Sequence, residues 1–499
     1  MSAVRVSGVV FVALVMGACG EVEAESTTED ASTTGTSTTT SGAGDATTTT
    51  VETSEASATA ATVETSEASP TTGAEADILE RLQAIDGLEV EEAPASIEGY
   101  RFFRLLYHQP ADHAAAGGAR FGQRMTLLHR DASAPMVMVT AGYDISVQAA
   151  SPGEVAQFVA GNQLTIEHRF FTPSRPDPAD WETLTIEQAA ADHHRIAAAL
   201  QPIYGGRWVS TGVSKGGMAA LYHRRFYPDD VAGTVAYVAP LSHGTADPRY
   251  VEFVAQVGEP GCRQALQDAQ REMLLRRPAM LAEMMEQAAD DGLGYELLGL
   301  DLALERAVVE LPFVFWQYLG AGVCDVVPTA SATDVQVWAF LDNVNPPSGW
   351  SDDELLHDEP YFWQAATELG YPAMDESGVE DLLLHPGVDA PAIYVAGGAE
   401  HAPAFDPSPM LDVADWLATD GEAMMFIYGE NDPWSAARVE LGAAEDAYVL
   451  VAPAGNHGAE IVDLSPADRA LALQVLERWT GARTRTEAAR DPAPLRRPL

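Results

Sequence analysis

Apolar and polar residues alternate along the chain from about residue 76 in two patterns, one typical of strands and one of helices. The run at 135–141 is continuously apolar, as in a strand that is buried on both faces. The other predicted strands are 99–108, 122–130, 163–168, 207–211, 233–239, 391–396, 423–428 and 447–451. Helical spacing occurs at 186–200, from 218 to about 227, and from 466 to about 479. Strands alternating with helices predict an α/β fold with a mostly parallel central sheet.

Residues 242–386 follow a different pattern, rich in Met, Leu, Glu and Ala at helical spacing. Strand signals are few in this segment, and strands are predicted again after it. We therefore expect a large helical cap inserted into an α/β domain that is built from residues 76–241 and 387–482. The Arg- and Pro-rich tail, 483–499, is expected to be frayed.

The first 19 residues have the pattern of an export signal. Arg5 provides a positive charge, residues 9–16 are apolar, and small residues lead to Cys19. Cysteine at this position resembles a bacterial lipobox, which predicts lipidation of Cys19 and membrane attachment through a lipid rather than a transmembrane helix. Met16 is an unusual first lipobox residue, so plain secretion stays open. Residues 20–75 are rich in Thr, Ser, Ala and Glu and are predicted to form a disordered tether.

The composition narrows the classes of function. Hydrophobic residues make up 46% of the 499 residues, enough for a sizeable core. A net charge of −46 excludes a general role in nucleic-acid binding, because phosphates would be repelled. The acidic excess suggests a saline or extracellular setting, and a genome bias toward Arg and Ala explains the composition equally well.

Cys262 and Cys324 are the two cysteines that follow Cys19. In an exported protein they predict a disulfide, with a pair of buried free thiols as the alternative. Their spacing matches no metal motif, and no cluster of His, Cys and Asp has ligand spacing, so no metal or cofactor is expected.

Gly212-Val213-Ser214-Lys215-Gly216 is the most informative motif. It lies between a predicted strand and a predicted helix, which is the setting of the nucleophile elbow of α/β-hydrolases. The glycines suit a tight turn in which the helix approaches the strand closely. Ser214 is therefore the candidate nucleophile. Lys215 is the single lysine of the chain.

A serine nucleophile needs a base and an acid that orients it. Asp432 and His457 each follow a late predicted strand, in the chain order Ser, acid, His that this fold uses. Asp432 could instead cap the helix that begins at Pro433, and Glu430 is the competing acid. The fallback bases, none of which follows the last strand, are His401, His243 and His193.

The oxyanion of an acyl-transfer reaction needs two N–H donors. The backbone of Lys215, the residue after the nucleophile, is expected to provide one. The second is expected from the loop after the early strand, where Tyr143 N–H is the favoured donor and a plain turn is the alternative role of Gly142.

Several further motifs resemble those of the secreted bacterial prolyl tri/tetrapeptidyl aminopeptidases, a family of serine exopeptidases. The similarity extends over roughly residues 80–480, and the prolyl carboxypeptidases resemble the chain more distantly. The shared segments are Glu167–Phe171, Ser174–Pro176, Asp180–Trp181, Asp192–Ile196, Arg225–Pro228, Tyr237–Pro240, Phe315–Tyr318 and Tyr361–Gln364.

The resemblance implies a Ser214–Asp432–His457 triad under a helical cap and the release of short peptides from N-termini, often after proline. It makes Glu167 a candidate anchor for the free amine, with an ion pair to Arg169 or Arg175 as the alternative. Trp316 and Trp434 could stack on a proline ring, although core packing is the commoner role of such residues. An esterase or lipase on the same scaffold, and a non-catalytic surface-binding protein, are the alternative functions.

Overall fold

A nine-stranded sheet organises the chain in the computed structural model, which describes residues 76–95, 97–115, 117–148, 151–396 and 404–488. The strands are β1 (Leu88–Ala93), β2 (Arg101–Pro110), β3 (Arg120–His129), β4 (Met136–Thr140), β5 (Asn162–Ile166), β6 (Trp208–Val213), β7 (Thr234–Tyr237), β8 (Glu422–Gly429) and β9 (Glu445–Ala452). Their order is β1-β2-β3-β5-β4-β6-β7-β8-β9. The first three strands pair antiparallel, as do β3 and β5, and all pairs from β5 through β4 to β9 are parallel.

Helices occupy both faces of this sheet and the segment inserted after β7. They are α1 (Ile78–Gln83), α2 (Glu154–Val159), α3 (Ile186–Leu200), α4 (Lys215–Phe226), α5 (Arg249–Val254), α6 (Pro260–Leu275), α7 (Arg277–Asp291), α8 (Leu300–Val309), α9 (Leu311–Tyr318), α10 (Asp334–Val344), α11 (Asp352–Gln364), α12 (Ser408–Thr419) and α13 (Pro466–Thr480). This strand order, with helices on both faces, is the α/β-hydrolase fold, as the sequence predicts.

The continuous apolar run of β4 is explained by burial on both faces. Met136 and Met138 pack in the core formed with α3, while Val137 points to the opposite core, which contains α2 and α13. Successive side chains of a strand point to opposite faces, so a strand covered on both sides needs apolar residues at every position.

The described part of the segment between β7 and α12 contains helices α5–α11 and has an apolar core of its own. The buried residues of this core range from Val257 to Val395, and Trp316 and Trp350 are among its largest side chains. The strand predicted at 391–396 is wrong, because Pro391–Tyr394 forms a 3₁₀ turn. Tyr394 packs against Trp350 at 4.9 Å between ring centroids, so the apolar pattern of this stretch comes from burial in the helical segment.

Candidate active site

Ser214 lies at a sharp turn between β6 and α4. Its backbone has φ 56° and ψ −126°, a conformation that non-glycine residues rarely adopt. A Cβ atom on Gly212 would lie 2.2 Å from the carbonyl oxygen of Gly216, so the turn has no room for a side chain there. The Ser214 N–H donates to the Tyr237 carbonyl of the neighbouring strand at 2.8 Å, which holds the turn at the sheet edge.

Asp432 and His457 form a buried pair at the same edge. Asp432 follows β8 and His457 follows β9, and β6 to β9 are consecutive parallel strands whose carboxyl ends share one edge. The His457 Nδ1 lies 2.8 Å from an Asp432 carboxylate oxygen, and the His457 backbone N–H donates to the Gln317 carbonyl of α9 at 2.9 Å. A carboxylate at Nδ1 assigns the proton to that nitrogen and leaves Nε2 as the basic one.

The competing acid and bases are placed differently. The Glu430 carboxylate accepts from the backbone N–H of Ala454 at 2.7 Å, within the turn after β9. His193 is buried on α3 beside His223, at 5.9 Å between ring centroids, and His243 lies close to Arg249 and Asp247. His401 lies outside the described residues.

The loop after β4 lies directly against the turn at Ser214. A Cβ atom on Gly142 would be 2.6 Å from the Lys215 Cβ and 2.7 Å from the Gly216 nitrogen, so only glycine fits this approach. Lys215 is the first residue of α4, where backbone N–H groups have no acceptor within the helix. The loop after β4 therefore brings Gly142, the chain neighbour of Tyr143, against Lys215 and Gly216. Lys215 and Tyr143 are the residues predicted as oxyanion donors.

The Lys215 side chain connects the same two loops, a contact that sequence reasoning missed. Its Nζ donates to the Gly142 carbonyl at 2.8 Å and lies 5.6 Å from the ring centroids of both Tyr143 and Phe171. Burial lowers the pKa of Lys215 to about 7, against the opposing charges of Glu368 and Asp358. The sequence does single out this residue, because Lys215 is the single lysine of the chain.

Aromatic side chains surround His457. The ring centroids of Trp434 and Tyr318 lie 6.1 and 6.3 Å from that of His457. Trp434 also packs edge-on against Phe313 of α9 at 5.3 Å. Trp316, by contrast, is fully buried in the core of the helical segment, where it contacts Gly258. This position favours core packing for Trp316 and corrects the expectation that it contacts substrate.

Glu167 is fully buried and its carboxylate is held by protein groups. One oxygen accepts from Ser174 Oγ at 2.7 Å, and the other accepts from Arg124 Nε at 2.8 Å and the Ile145 N–H at 2.9 Å. Burial raises the Glu167 pKa, while Ser174 and Arg124 oppose that shift. The expectation of an amine anchor is therefore corrected to a structural ion pair, and its partner is Arg124 because Arg169 binds Asp192 instead.

Comparison with known proteins places the chain in a family. Residues 71–499 match the PS-10 peptidase S37 family. The chain belongs to this family. It is 42% identical over 416 residues to the prolyl tri/tetrapeptidyl aminopeptidase of Streptomyces mobaraensis, covering 82% of this chain and 86% of that protein.

Solved structures that match this S37 peptidase have low sequence identity to it and low TM-scores. A proline iminopeptidase of Mycobacterium smegmatis has TM-score 0.32 and 14% identity, covering 79% of this chain and 99% of that one. An acetyl xylan esterase of Thermoanaerobacterium has TM-score 0.31 and 10% identity, covering 80% of this chain and 90% of that one. These values are low, and the fold assignment depends on the strand order above.

Cys262 and Cys324 form a disulfide in this serine peptidase, joining α6 to the 3₁₀ segment Ala321–Val326. Within the described part of the chain, His, Cys, Asp and Glu form no group of three that could hold a metal ion. None of the described helices is long and apolar enough to cross a membrane. Cys19 and the predicted tether lie outside the described residues.

Proposed function

We propose that this S37 peptidase releases short peptides from the N-terminus of its substrates, preferentially after proline. The observation that carries the proposal is the 2.8 Å contact between His457 Nδ1 and Asp432, at the sheet edge where Ser214 follows β6. The activity named for the Streptomyces relative supports the substrate class.

In the proposed reaction, Ser214 Oγ bonds to the scissile carbonyl carbon and its proton passes to His457 Nε2. Asp432 orients the imidazole and stabilises its positive charge. The C–N bond then breaks as His457 returns the proton to the leaving amine, which leaves an ester between Ser214 and the N-terminal fragment. Water repeats the sequence in place of the serine, so the fragment leaves with a carboxylate and Ser214 regains its proton.

The negative oxygen formed in both steps would be held by the backbone N–H groups of Lys215 and Tyr143. The close approach of Gly142 to Lys215 supports this assignment, because it holds the two donor loops together. Lys215 Nζ strengthens the same junction through the Gly142 carbonyl. We treat Lys215 Nζ as a positioning group, since its contact is with the loop.

The test is fluorophosphonate labelling of the full chain together with hydrolysis of Ala-Ala-Pro-p-nitroanilide and of p-nitrophenyl esters. Ser214→Ala is expected to abolish labelling and to lower kcat by a factor of about 10⁵ or more. Ser331→Ala, at an exposed serine of the helical segment, is the matched control and is expected to behave as wild type.

Each other outcome contradicts the proposal in a different way. Labelling of wild type without cleavage of the anilide, but with cleavage of the esters, would indicate an esterase. No labelling of a folded sample would indicate a protein that kept the fold for binding.

We also propose that the protein is exported and attached to a membrane through a lipid on Cys19. The export pattern of residues 1–19 supports this, and the Cys262–Cys324 disulfide is typical of an oxidising compartment. Metabolic labelling with an alkyne fatty acid in a bacterial host is expected to label the wild-type chain and to fail with Cys19→Ala. A labelled Cys19→Ala variant, or an unlabelled wild type in the medium, would rule out the anchor.

A further inference from the structure

Glu310, between α8 and α9, is a fully buried carboxylate that the proposed chemistry does not use. Neither of its oxygens has a hydrogen-bond partner among the described residues. Burial raises the Glu310 pKa well above its usual range; Asp389 adds to that shift and Arg306 opposes it. A buried polar group without a partner is costly and calls for an explanation.

The nearest cation on the same helical face does not satisfy Glu310. Arg306 lies four residues earlier and forms ion pairs with Glu376 at 2.9 Å and with Asp389 at 3.4 Å. Glu167 and Glu305 show the contrast, since both are equally buried and both bind an arginine. Glu310 is thus a buried acid whose two oxygens have no hydrogen-bond donor among the described residues.

The helix that begins after Glu310 leads to His457. Glu310 and Gln317 are seven residues apart, which places them on the same face of α9 about 10.5 Å apart along its axis. The Gln317 carbonyl accepts from the His457 N–H at 2.9 Å, and Phe313 of this helix packs on Trp434 beside His457. The side-chain carbonyl of Gln317 is also buried and without a partner among the described residues.

A second set of contacts links the surroundings of Glu310 to the loop after β4, which contains Tyr143. Tyr361 of α11 packs on Tyr143 at 5.8 Å between ring centroids. Burial raises the pKa of Tyr361, and the neighbouring charges that add to the shift include Glu310. Glu310 therefore lies within electrostatic reach of a side chain that contacts the proposed site from the cap side.

We propose that Glu310 binds the amino group of the substrate and that Gln317 accepts a hydrogen bond from the peptide backbone between that amine and the scissile bond. The inference deepens the proposed aminopeptidase function and rests on it. An extended peptide advances about 3.3 Å per residue, so three residues cover about 10 Å. That length matches the spacing from Gln317, beside His457, to Glu310, and favours release of tripeptides.

The ammonium group provides what the buried carboxylate lacks. A charge-assisted hydrogen bond between the two is strong when both are removed from water. Binding requires the ionised carboxylate and the protonated amine, whose pKa is about 7.7–8.0. The groups around Glu310 are Arg306 of α8, Asp389 and Tyr394 near the 3₁₀ turn at 391–394, and Tyr361 and Tyr371. Because burial raises the pKa of Glu310, the ionised carboxylate becomes more available as the pH rises, so KM for free-amine substrates is expected to fall as the pH rises toward the pKa of the amine.

The experiment compares Ala-Ala-Pro-p-nitroanilide with its N-acetyl form in the full-length protein. Glu310→Gln is expected to lower kcat/KM for the free tripeptide about 100-fold or more, to abolish the preference over the acetylated form, and to remove the fall of KM with pH. The rate of fluorophosphonate labelling at Ser214 is expected to stay within about twofold of wild type, since this reagent has no amine.

Glu305→Gln is the matched control, because Glu305 is equally buried on α8 but binds Arg277 and the backbone of Leu384. It is expected to keep the preference for a free amine even if it lowers stability. A Glu310→Gln variant that retains this preference would overturn the proposal. So would a wild type that cleaves the anilides of Ala-Pro or Ala-Ala-Ala-Pro faster than that of Ala-Ala-Pro. Failure of the aminopeptidase function itself is distinguishable, since wild type would then cleave none of these anilides.

Discussion

The side chain of Asp432 divides its two carboxylate oxygens between His457 and the chain that follows. One oxygen accepts from His457 at 2.8 Å, and the other accepts from the Trp434 N–H at 3.1 Å. The capping contact and the proposed catalytic role are therefore compatible. Holding both oxygens prevents rotation of the carboxylate, so the imidazole is oriented by a rigid group.

Asp432→Asn separates these two roles. Asparagine caps a helix about as well as aspartate, so the free energy of unfolding is expected to change by less than about 1 kcal/mol. Its amide cannot hold the imidazolium, so kcat on Ala-Ala-Pro-p-nitroanilide is expected to fall by a factor of about 10³–10⁴. Urea unfolding and steady-state kinetics measure the two quantities. Glu430→Gln is the control, and a larger loss in that variant would make Glu430 the acid.

Lys215→Met tests the buried amine next to Ser214. The pKa of Lys215 is about 7 in the folded chain and its ordinary value is 10.5. Between these values the unfolded chain binds more protons, so this group makes the wild type more stable as the pH rises from 7 to 10.5. From about pH 8 to about pH 10, the free energy of unfolding of wild type minus that of Lys215→Met is expected to rise by roughly 2 kcal/mol. A flat difference would mean that the amine titrates normally.

The residues of the proposed site that could be predicted from the sequence are those that directly follow a strand. Ser214, Asp432 and His457 each follow a strand that is recognisable from apolar spacing. Their order along the chain, Ser, acid, His, then assigns a role to each. Glu310 carries no such mark, since its importance depends on which side chains surround it in three dimensions. Glu167 shows the opposite case. Its motif suggested a contact with a ligand, but its carboxylate binds Arg124, which is distant in the sequence.

At the scale of whole elements, the predictions were accurate for helices and strands whose pattern of buried residues is the same along their whole length. The helix at 186–200 has the predicted bounds, and β8 and β9 lie within a few residues of the predicted strands. The strand predicted at 391–396 was wrong, because a short apolar run does not show which of the cores buries it. Strand β1 was missed, since it is a half-exposed edge strand with three glutamates in six residues.

The disulfide is the element-scale feature most open to test. It closes a loop of 62 residues that contains α7 to α9, and therefore both Glu310 and Gln317. Replacing Cys262 and Cys324 with alanine is expected to lower the free energy of unfolding by about 4 kcal/mol, because the unfolded chain gains freedom. Urea unfolding measures this, and dithiothreitol-treated wild type is the control, expected to match the variant. Equal stability of oxidised and reduced wild type would contradict the prediction.

Across the whole molecule, acidic residues outnumber basic ones by 74 to 28, and only eleven of the acidic residues lie in the first 75 positions. Many arginines are paired with carboxylates, including the exposed pairs Arg225–Asp412 and Arg271–Asp381. Exposed pairs of this kind contribute little to stability. The surplus of unpaired negative charge therefore leaves net repulsion in the folded state, which mobile ions reduce.

Salt is accordingly expected to stabilise this protein. Raising NaCl from about 0.01 M to about 0.15 M shortens the Debye length from about 30 Å to about 8 Å, which screens repulsion between distant carboxylates more than attraction within contact pairs. Urea unfolding at neutral pH is expected to show a gain of roughly 1–2 kcal/mol in the free energy of unfolding. Choline chloride is the control for screening, and an effect seen with NaCl alone would indicate sodium binding instead. A loss of stability with salt would show that the arginine pairs outweigh the acidic surplus, and the composition would then favour a genome bias toward Arg and Ala over a saline setting.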